Sequence, residues 1–243
     1  MADKDFTLGS ATHLVTLAAC LLITVIIALW GRRTREIPDH HRKLRLGLTL
    51  GSILSWIATL AYGLQPSVFK WESALPLQFC NLANLIGAVA VLYYNRGAQS
   101  LLYFWSITLC IWAFLTPDLI VGVDHLWFWL FWIYHLFIPI CLCWILFVDQ
   151  FRPTWKDLRF ALLATTGFTL GLSVLNAITG WNYGMVGPGK PGQPSLIDVL
   201  GPYPIRILWM LMIGASLFTL LFLPWEWGRR RSLKKSTAKN PAA

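Results

Sequence analysis

The chain has 243 residues, of which 56% are hydrophobic and only 13% are charged, and its mean hydropathy is +0.58. Soluble domains are roughly 45–50% apolar and 25% charged, so this composition excludes a water-soluble globule. The formal net charge of +9 comes from Lys and Arg residues that lie between apolar segments and not on one amphipathic surface. Membrane topology explains this distribution better than a nucleic-acid partner does, and we expect no nucleic-acid binding.

Seven apolar segments follow one another along the chain, each long enough to cross a bilayer as a helix. They lie at about 11–30, 46–64, 75–94, 100–116, 126–148, 159–179 and 204–223. The sequence therefore predicts an all-α, polytopic bundle of seven transmembrane helices. We assign residues 1–228 to this single domain and residues 229–243 to a basic cytoplasmic tail without regular structure.

The distribution of basic residues predicts the orientation of the bundle, because cytoplasmic loops are enriched in Lys and Arg. Alternate connections hold 16 of these residues on one side of the membrane and 4 on the other. A missed or spurious helix would mix the two sets. We therefore expect the N-terminus outside, the C-terminus in the cytoplasm, and anionic lipid headgroups as partners of the basic cytoplasmic loops.

The third segment begins with a polar strip. Pro76 suits the first turn of a helix, which would place Cys80 one turn deeper, next to Asn81 and Asn84 on a face that meets other helices. There the helix dipole alone has little effect on the thiol, so Cys80 needs a nearby base to become a nucleophile. A buried cysteine is also common as inert packing, and both interpretations stay open at this point.

The fifth segment carries one ionisable residue, His135, at its centre. Pro139 leaves the carbonyl of His135 without its helical donor, and ionisable residues inside membranes are usually functional, although a histidine bonded to a neighbouring helix is the alternative. Counted from their predicted outer ends, Cys80 lies at a depth of about 8 Å and His135 at about 14 Å. Contact between them is therefore compatible with helix tilt, and Asp118 in an outer loop is a candidate to orient the imidazole.

The last outer connection, about residues 181–203, is long and rich in Gly and Pro, so it is not a regular helix or a central strand. Loops of this length are often binding loops or lids, and a flexible linker is the alternative. Asn182 at its start is a candidate donor to a developing oxyanion, as is Asn84.

Other classes of membrane protein find less support in the sequence. A transporter would ordinarily show a charged substrate path or an internal repeat, and neither is found. The nucleophile elbow of serine esterases and the paired histidines of zinc proteases are also missing. Metal-ligand spacing does not emerge among the five Cys residues, and we expect neither a metal nor a soluble cofactor.

Several short motifs together resemble a known family. They are the Leu-Pro-Leu run 75–77 followed by Cys80 and Asn81, the segment 115–119 with Asp118, the central His135, and Asn182-Tyr183 followed by 194–202. The set is similar to the YwaF-like bacterial integral membrane proteins, which look related to the eukaryotic transmembrane protein 164. This resemblance spans most of the chain from the second segment to the seventh. It implies a membrane protein whose eukaryotic members move a fatty acyl chain from a phospholipid to a lyso ether phospholipid through a Cys and a His, which fall here on Cys80 and His135.

The residues and the resemblance together predict a phospholipid acyltransferase that uses the Cys80/His135 pair and an acyl-thioester intermediate on Cys80. Phospholipid and lysophospholipid are its expected partners. The surrounding candidates for binding, orienting or oxyanion stabilisation are Asn81, Asn84, Asp118, Asn182 and Tyr183. A lipid hydrolase that uses the same pair is one alternative, and a non-catalytic transporter or assembly factor is another. The resemblance also implies a bacterial cytoplasmic membrane.

Overall fold

The computed structural model describes residues 6–188 and 196–239, and the described chain is helical. Its α-helices, numbered in chain order, are α1 Ala11–Thr34, α2 Pro38–Gly63, α3 Trp71–Ala74, α4 Phe79–Tyr93, α5 Arg96–Trp105, α6 Trp112–Leu115, α7 Leu126–Cys143, α8 Trp155–Thr179 and α9 Ile205–Lys239. Single π-helical turns follow α5 at Ser106–Cys110 and α7 at Trp144–Val148, and short 3₁₀ turns occur at Tyr183–Met185 and Leu196–Leu200.

Seven helical stretches within the described residues are long and apolar enough to cross a membrane, which confirms the predicted number. They are Ala11–Thr34, Pro38–Gly63, Trp71–Tyr93, Arg96–Leu115, Leu126–Val148, Trp155–Thr179 and Ile205–Ser232. Some helices begin earlier than their apolar segments because polar residues start them. Thr154 and Asp157, for example, form a capping box before α8, which satisfies backbone N–H groups that lack helical partners.

The last helix differs from the prediction. We expected residues 229–243 to lack regular structure, but α9 continues to Lys239, and residues 240–243 lie outside the described residues. Glu226 receives hydrogen bonds from Arg229 at 2.9 Å and Arg230 at 2.8 Å. Such pairs, one helical turn apart, stabilise a helix, and they explain why α9 extends beyond the apolar segment. The basic composition alone did not reveal this extension.

The centre of the bundle is α7, which packs against α1, α2, α4 and α5. Glycines permit close approach to two of these neighbours. A Cβ atom on Gly51 of α2 would lie 2.5 Å from the Phe137 ring, and one on Gly87 of α4 would lie 3.1 Å from the Cβ atom of Cys141. Small residues at helix contacts let backbones pack closely in lipid, and here they bring α4 against the histidine-bearing helix.

Ion pairs to buried carboxylates join the helices at the end of the bundle that we predict to be cytoplasmic. Arg45 lies 2.7 Å from Asp149, with both side chains more than nine-tenths buried. Arg96 lies 2.6 Å from the buried carboxylate of Asp157. Burial raises the pKa of the Asp149 carboxyl, and its hydrogen bond with Arg45 opposes that shift. Buried charges require such partners, so these pairs fix the register of the helices they join.

Candidate active site

Cys80 lies in the first turn of a helix, not one turn deeper as we predicted. The third span is broken: α3 ends at Ala74, and α4 begins only at Phe79, which makes Cys80 its second residue. Pro76 lies in the irregular segment between the two helices. The expectation that Pro76 begins the helix was wrong because contacts with a distant loop hold this segment in a non-helical conformation.

The start of α4 has no side-chain cap. Gln78 occupies the N-cap position without capping the helix, since its side-chain oxygen accepts a hydrogen bond from the backbone N–H of Gly184 at 3.0 Å. The first N–H groups of a helix have no partner within the helix. The N–H groups around Cys80 therefore have no partner within α4 and are available as donors, and a helix N-terminus favours negative charge on the thiol or on an attached acyl group.

The Cys80 thiol is close enough to the imidazole of His135 and the thiol of Cys110 to interact with both side chains. His135 comes from the middle of α7 and Cys110 from the π-helical turn after α5. Cys80 is half-buried, whereas Cys110 is 1% exposed and His135 7% exposed. Of the two thiols, Cys80 is therefore the one that an incoming substrate can reach.

The imidazole of His135 is held in one tautomer by its own helix. Its Nδ1 atom lies 2.7 Å from the carbonyl oxygen of Phe131, one turn earlier in α7. A carbonyl only accepts hydrogen bonds, so Nδ1 carries a proton, and in the neutral imidazole Nε2 then has the lone pair. An imidazole in this state can take a proton from a neighbouring thiol, which is the requirement for a general base.

The two neighbouring asparagines of α4 have different surroundings. Asn84 is fully buried, and its amide accepts a hydrogen bond from Ser52 at 2.7 Å and donates one to the carbonyl of Tyr134 at 2.8 Å. It therefore joins α2, α4 and α7. Asn81 is half-buried beside Cys80 and makes no side-chain hydrogen bond within the described part of the chain. Of the pair, only Asn81 keeps both of its amide donors available to a ligand.

Asp118 does not reach the site. Its side chain is exposed after the fourth span, and the Nδ1 atom of His135 already has the carbonyl of Phe131 as its partner. The partner that we expected a carboxylate to provide for His135 is therefore a backbone carbonyl of α7.

The loop after α8 packs on the start of the third span. The buried hydroxyl of Tyr183 donates to the carbonyl of Trp71 and accepts from the N–H of Leu75 at 2.9 Å. Asn182 accepts from the N–H of Gly187 at 2.9 Å and so shapes the loop itself. Burial raises the pKa of the Tyr183 phenol. Residues 189–195 of the predicted binding loop lie outside the described residues.

Two residues near the thiol, Cys110 and Tyr134, were not among the candidates that the sequence indicated. Counting depth would have drawn attention to Cys110, because it lies six residues before the predicted end of its span and Cys80 lies five residues after the start of its own. Tyr134 carries no comparable signal in an apolar, aromatic helix. Among the described residues, no group of three or more His, Cys, Asp and Glu side chains could hold a metal ion.

Comparison with known proteins identifies one family. A sequence model of the TMEM164 family matches residues 8–222, a range that begins just before α1 and ends within α9. No curated protein and no solved structure matches the chain significantly. The match confirms the predicted relationship to transmembrane protein 164, whereas the relationship to YwaF-like proteins stays a prediction.

Proposed function

The chain belongs to the TMEM164 family, and we propose that it is an integral membrane acyltransferase that moves a fatty acyl chain from a phospholipid to a lysophospholipid. One observation carries the proposal. A half-buried thiol at an uncapped helix N-terminus lies within interaction range of an imidazole whose Nδ1 atom is bonded to a backbone carbonyl. These are the parts that nucleophilic acyl transfer requires: a nucleophile, a base and a group that orients the base.

In the first step, the Nε2 atom of His135 takes the proton of the Cys80 thiol, and the sulfur attacks the ester carbonyl carbon of a phospholipid. A carbon–sulfur bond forms, and the carbonyl electron pair moves to oxygen. When that pair returns, the carbon–oxygen bond to the glycerol breaks. The His135 imidazolium gives its proton to the leaving oxygen, which releases a lysophospholipid and leaves an acyl-thioester on Cys80.

The second step reverses the first with a different alcohol. The Nε2 atom of His135 takes a proton from the hydroxyl of a lysophospholipid, and the oxygen attacks the thioester carbonyl. The carbon–sulfur bond breaks, and the thiolate recovers the proton from the imidazolium. Water in place of the lysophospholipid would make the same residues a hydrolase.

The surroundings of the site favour a lipid ester as substrate. Cys80 is half-buried in a span of the bundle, so a substrate that approaches sideways can keep its acyl tail in the bilayer. The amides at the start of α4 and the side chain of Asn81 are the donors closest to Cys80 along the chain, and we assign them to the oxyanion. We assign Tyr183 and Asn182 to holding the helix start that presents the thiol. The two steps require only groups of this chain and the two lipids.

We also propose anionic headgroups as partners of the basic loops, and a bacterial cytoplasmic membrane as the location. Arg45 and Arg96 are neutralised by buried carboxylates, so they contribute little to such contacts. Exposed basic residues such as Arg32, Arg33 and Lys156 are better placed. Their attraction to anionic lipid should weaken as salt is added.

The test is mass spectrometry of the purified protein after incubation with a phospholipid that carries a labelled acyl chain. We expect an acyl adduct on Cys80 that disappears in Cys80→Ala. Cys143→Ala is the matched control, because Cys143 is also a half-buried thiol in a span, and it should retain the adduct. Absence of an adduct from the wild-type protein would overturn the proposal.

Adding unlabelled lysophospholipid to the labelled protein separates the alternatives. A transferase gives labelled diacyl product, whereas a hydrolase gives labelled free fatty acid whether or not lysophospholipid is present. A non-catalytic protein gives neither product, and cells that carry Cys80→Ala or His135→Ala would then have unchanged lipid profiles.

A further inference from the structure

The hydroxyl of Tyr134 is buried without a hydrogen-bond partner among the described residues. The residue lies in α7, next to His135, and is 4% exposed. Buried polar groups in native proteins nearly always have partners, so an orphan calls for an explanation such as a catalytic role. A tyrosine hydroxyl without a partner has its O–H free to donate a hydrogen bond to a bound ligand.

The position of this hydroxyl relates it to the candidate site. It lies within electrostatic range of the thiols of Cys80 and Cys110. The Tyr134 ring packs edge-on against the His135 ring, with 4.5 Å between the ring centroids. The Tyr134 carbonyl accepts the hydrogen bond from Asn84, which fixes the backbone of α7 at this level to α4. The orphan donor is therefore held close to the proposed nucleophile.

We propose that Tyr134 is a further catalytic residue, whose hydroxyl donates a hydrogen bond to the carbonyl oxygen of a carboxylic ester as Cys80 attacks it. The inference rests on the proposed function and extends it by naming the donor that α7 supplies. The Cys80 sulfur forms its bond to the carbonyl carbon, and the electron pair of the carbonyl moves to oxygen. Tyr134 donates a hydrogen bond to that oxygen and keeps its proton, so it returns unchanged when the carbonyl re-forms.

Such a donor suits a site inside a membrane. A phenol is neutral and can be buried on an apolar helix at less cost than a charged donor. A donor that is already in place and unpaired in the resting protein does not have to reorganise when charge develops, and this preorganisation is the main source of oxyanion stabilisation. Because the amides of α4 lie on another helix, Tyr134 would add a donor from a second helix.

The experiment compares two reactions of the Cys80 thiol in Tyr134→Phe and wild-type protein, both purified in detergent. Acylation by a labelled phospholipid passes through an oxyanion, whereas alkylation by iodoacetamide does not. Peptide mass spectrometry measures each rate at Cys80. We expect acylation to fall about 10²–10³-fold, chiefly in kcat and not in KM, and alkylation to stay within about twofold of wild type.

Tyr103→Phe is the matched control, because Tyr103 is equally buried, at 4% exposure, but its hydroxyl already bonds to the Leu221 carbonyl and to Trp225. This variant should unfold at a lower temperature yet retain acylation. Tyr134→Phe should not lower the unfolding temperature, because it removes an unpaired group. Unchanged acylation in Tyr134→Phe, or an equal fall in acylation and alkylation, would overturn the inference. If wild-type Cys80 is alkylated but never acylated, the proposed function itself fails.

Discussion

The Nδ1 atom of His135 donates its hydrogen bond to the carbonyl of Phe131, one turn earlier in the same helix, at 2.7 Å. This bond uses no residue from elsewhere in the chain, and it leaves Nε2 free to act on the Cys80 thiol. In the proposed reaction, this backbone carbonyl therefore takes the place that a carboxylate has in a catalytic triad. The predictions below follow from this arrangement and from the contacts that support it.

Replacing the imidazole should slow the chemistry without preventing access to the thiol. In His135→Gln we expect acylation of Cys80 to fall about 10²–10⁴-fold, the range for a general base. His13→Gln is the matched control, because His13 is also buried in a span and bonded to a backbone carbonyl, that of Phe114. Adduct formation measured by mass spectrometry should be retained in His13→Gln, and equal losses in the two variants would contradict the assignment.

Cys110 should act through Cys80 and not as a second nucleophile. Its thiol contacts Cys80, and a hydrogen bond to a charged group contributes about 1.5–3 kcal/mol. We therefore expect Cys110→Ala to slow acylation of Cys80 roughly 10-fold to 100-fold, and Cys110→Ser, which keeps a donor, to recover most of the rate. Failure of the serine variant to recover would indicate that Cys110 only fills space, and an acyl adduct on Cys110 would contradict the choice of nucleophile.

The contacts of Tyr183 should matter both for stability and for the site. Tyr183→Phe leaves the N–H of Leu75 and the carbonyl of Trp71 without the phenol, at a cost of about 1–3 kcal/mol in the free energy of unfolding. Acylation should also slow, since α4 begins four residues after Leu75. Chemical denaturation and adduct formation measure the two effects, and a stable variant with slow acylation would place Tyr183 in the site itself.

The Tyr183 phenol also predicts that the stability of the folded protein falls at high pH. Burial raises the pKa of Tyr183 in the folded protein, so the folded state holds the proton more tightly than the unfolded chain. This contribution to stability is fully present below about pH 10, the ordinary pKa of tyrosine, and is lost as the pH rises through the folded value. Unfolding temperatures between pH 8 and 11 should therefore fall more steeply for the wild type than for Tyr183→Phe.

Close helix packing around α7 can be tested with one methyl group. A Cβ atom on Gly31 would lie 2.6 Å from the ring of the fully buried Trp144, whereas one on Gly47 would meet nothing within 4 Å. We expect Gly31→Ala to lower the free energy of unfolding by about 1–3 kcal/mol, as overpacking does. Gly47→Ala should be neutral or stabilising by about 0.5–1 kcal/mol. Thermal unfolding in detergent distinguishes the two, and equal stability would argue against the contact of α1 with the π-helical turn that follows α7.

Much of the architecture was readable from the chain because lipid imposes local rules. A spanning helix must satisfy its own backbone and be apolar over about 20 residues, so each of the seven spans is visible in its own segment. Cys80 and His135 could be selected for a related reason, since polar groups at similar depths in an apolar background are conspicuous.

The relations between helices could not be read in this way. Local sequence placed Pro76 in the first turn of a helix. In the structure, Tyr183 binds Leu75, 108 residues away in the chain, and keeps the segment there non-helical. Cys80 therefore lies at the start of α4. The same holds for Asn84, which polarity marked as an oxyanion donor and which in fact ties three helices together.

By itself, the sequence determined that seven helices cross a membrane and that one thiol and one imidazole lie at comparable depths. Only the tertiary structure decided that these two groups lie close enough to interact, that Cys110 and Tyr134 lie near them, and that the carbonyl of Phe131 binds the imidazole. The physical reason is that apolar length is a property of one segment, whereas the rotation and tilt of a helix are set by the side chains of its neighbours.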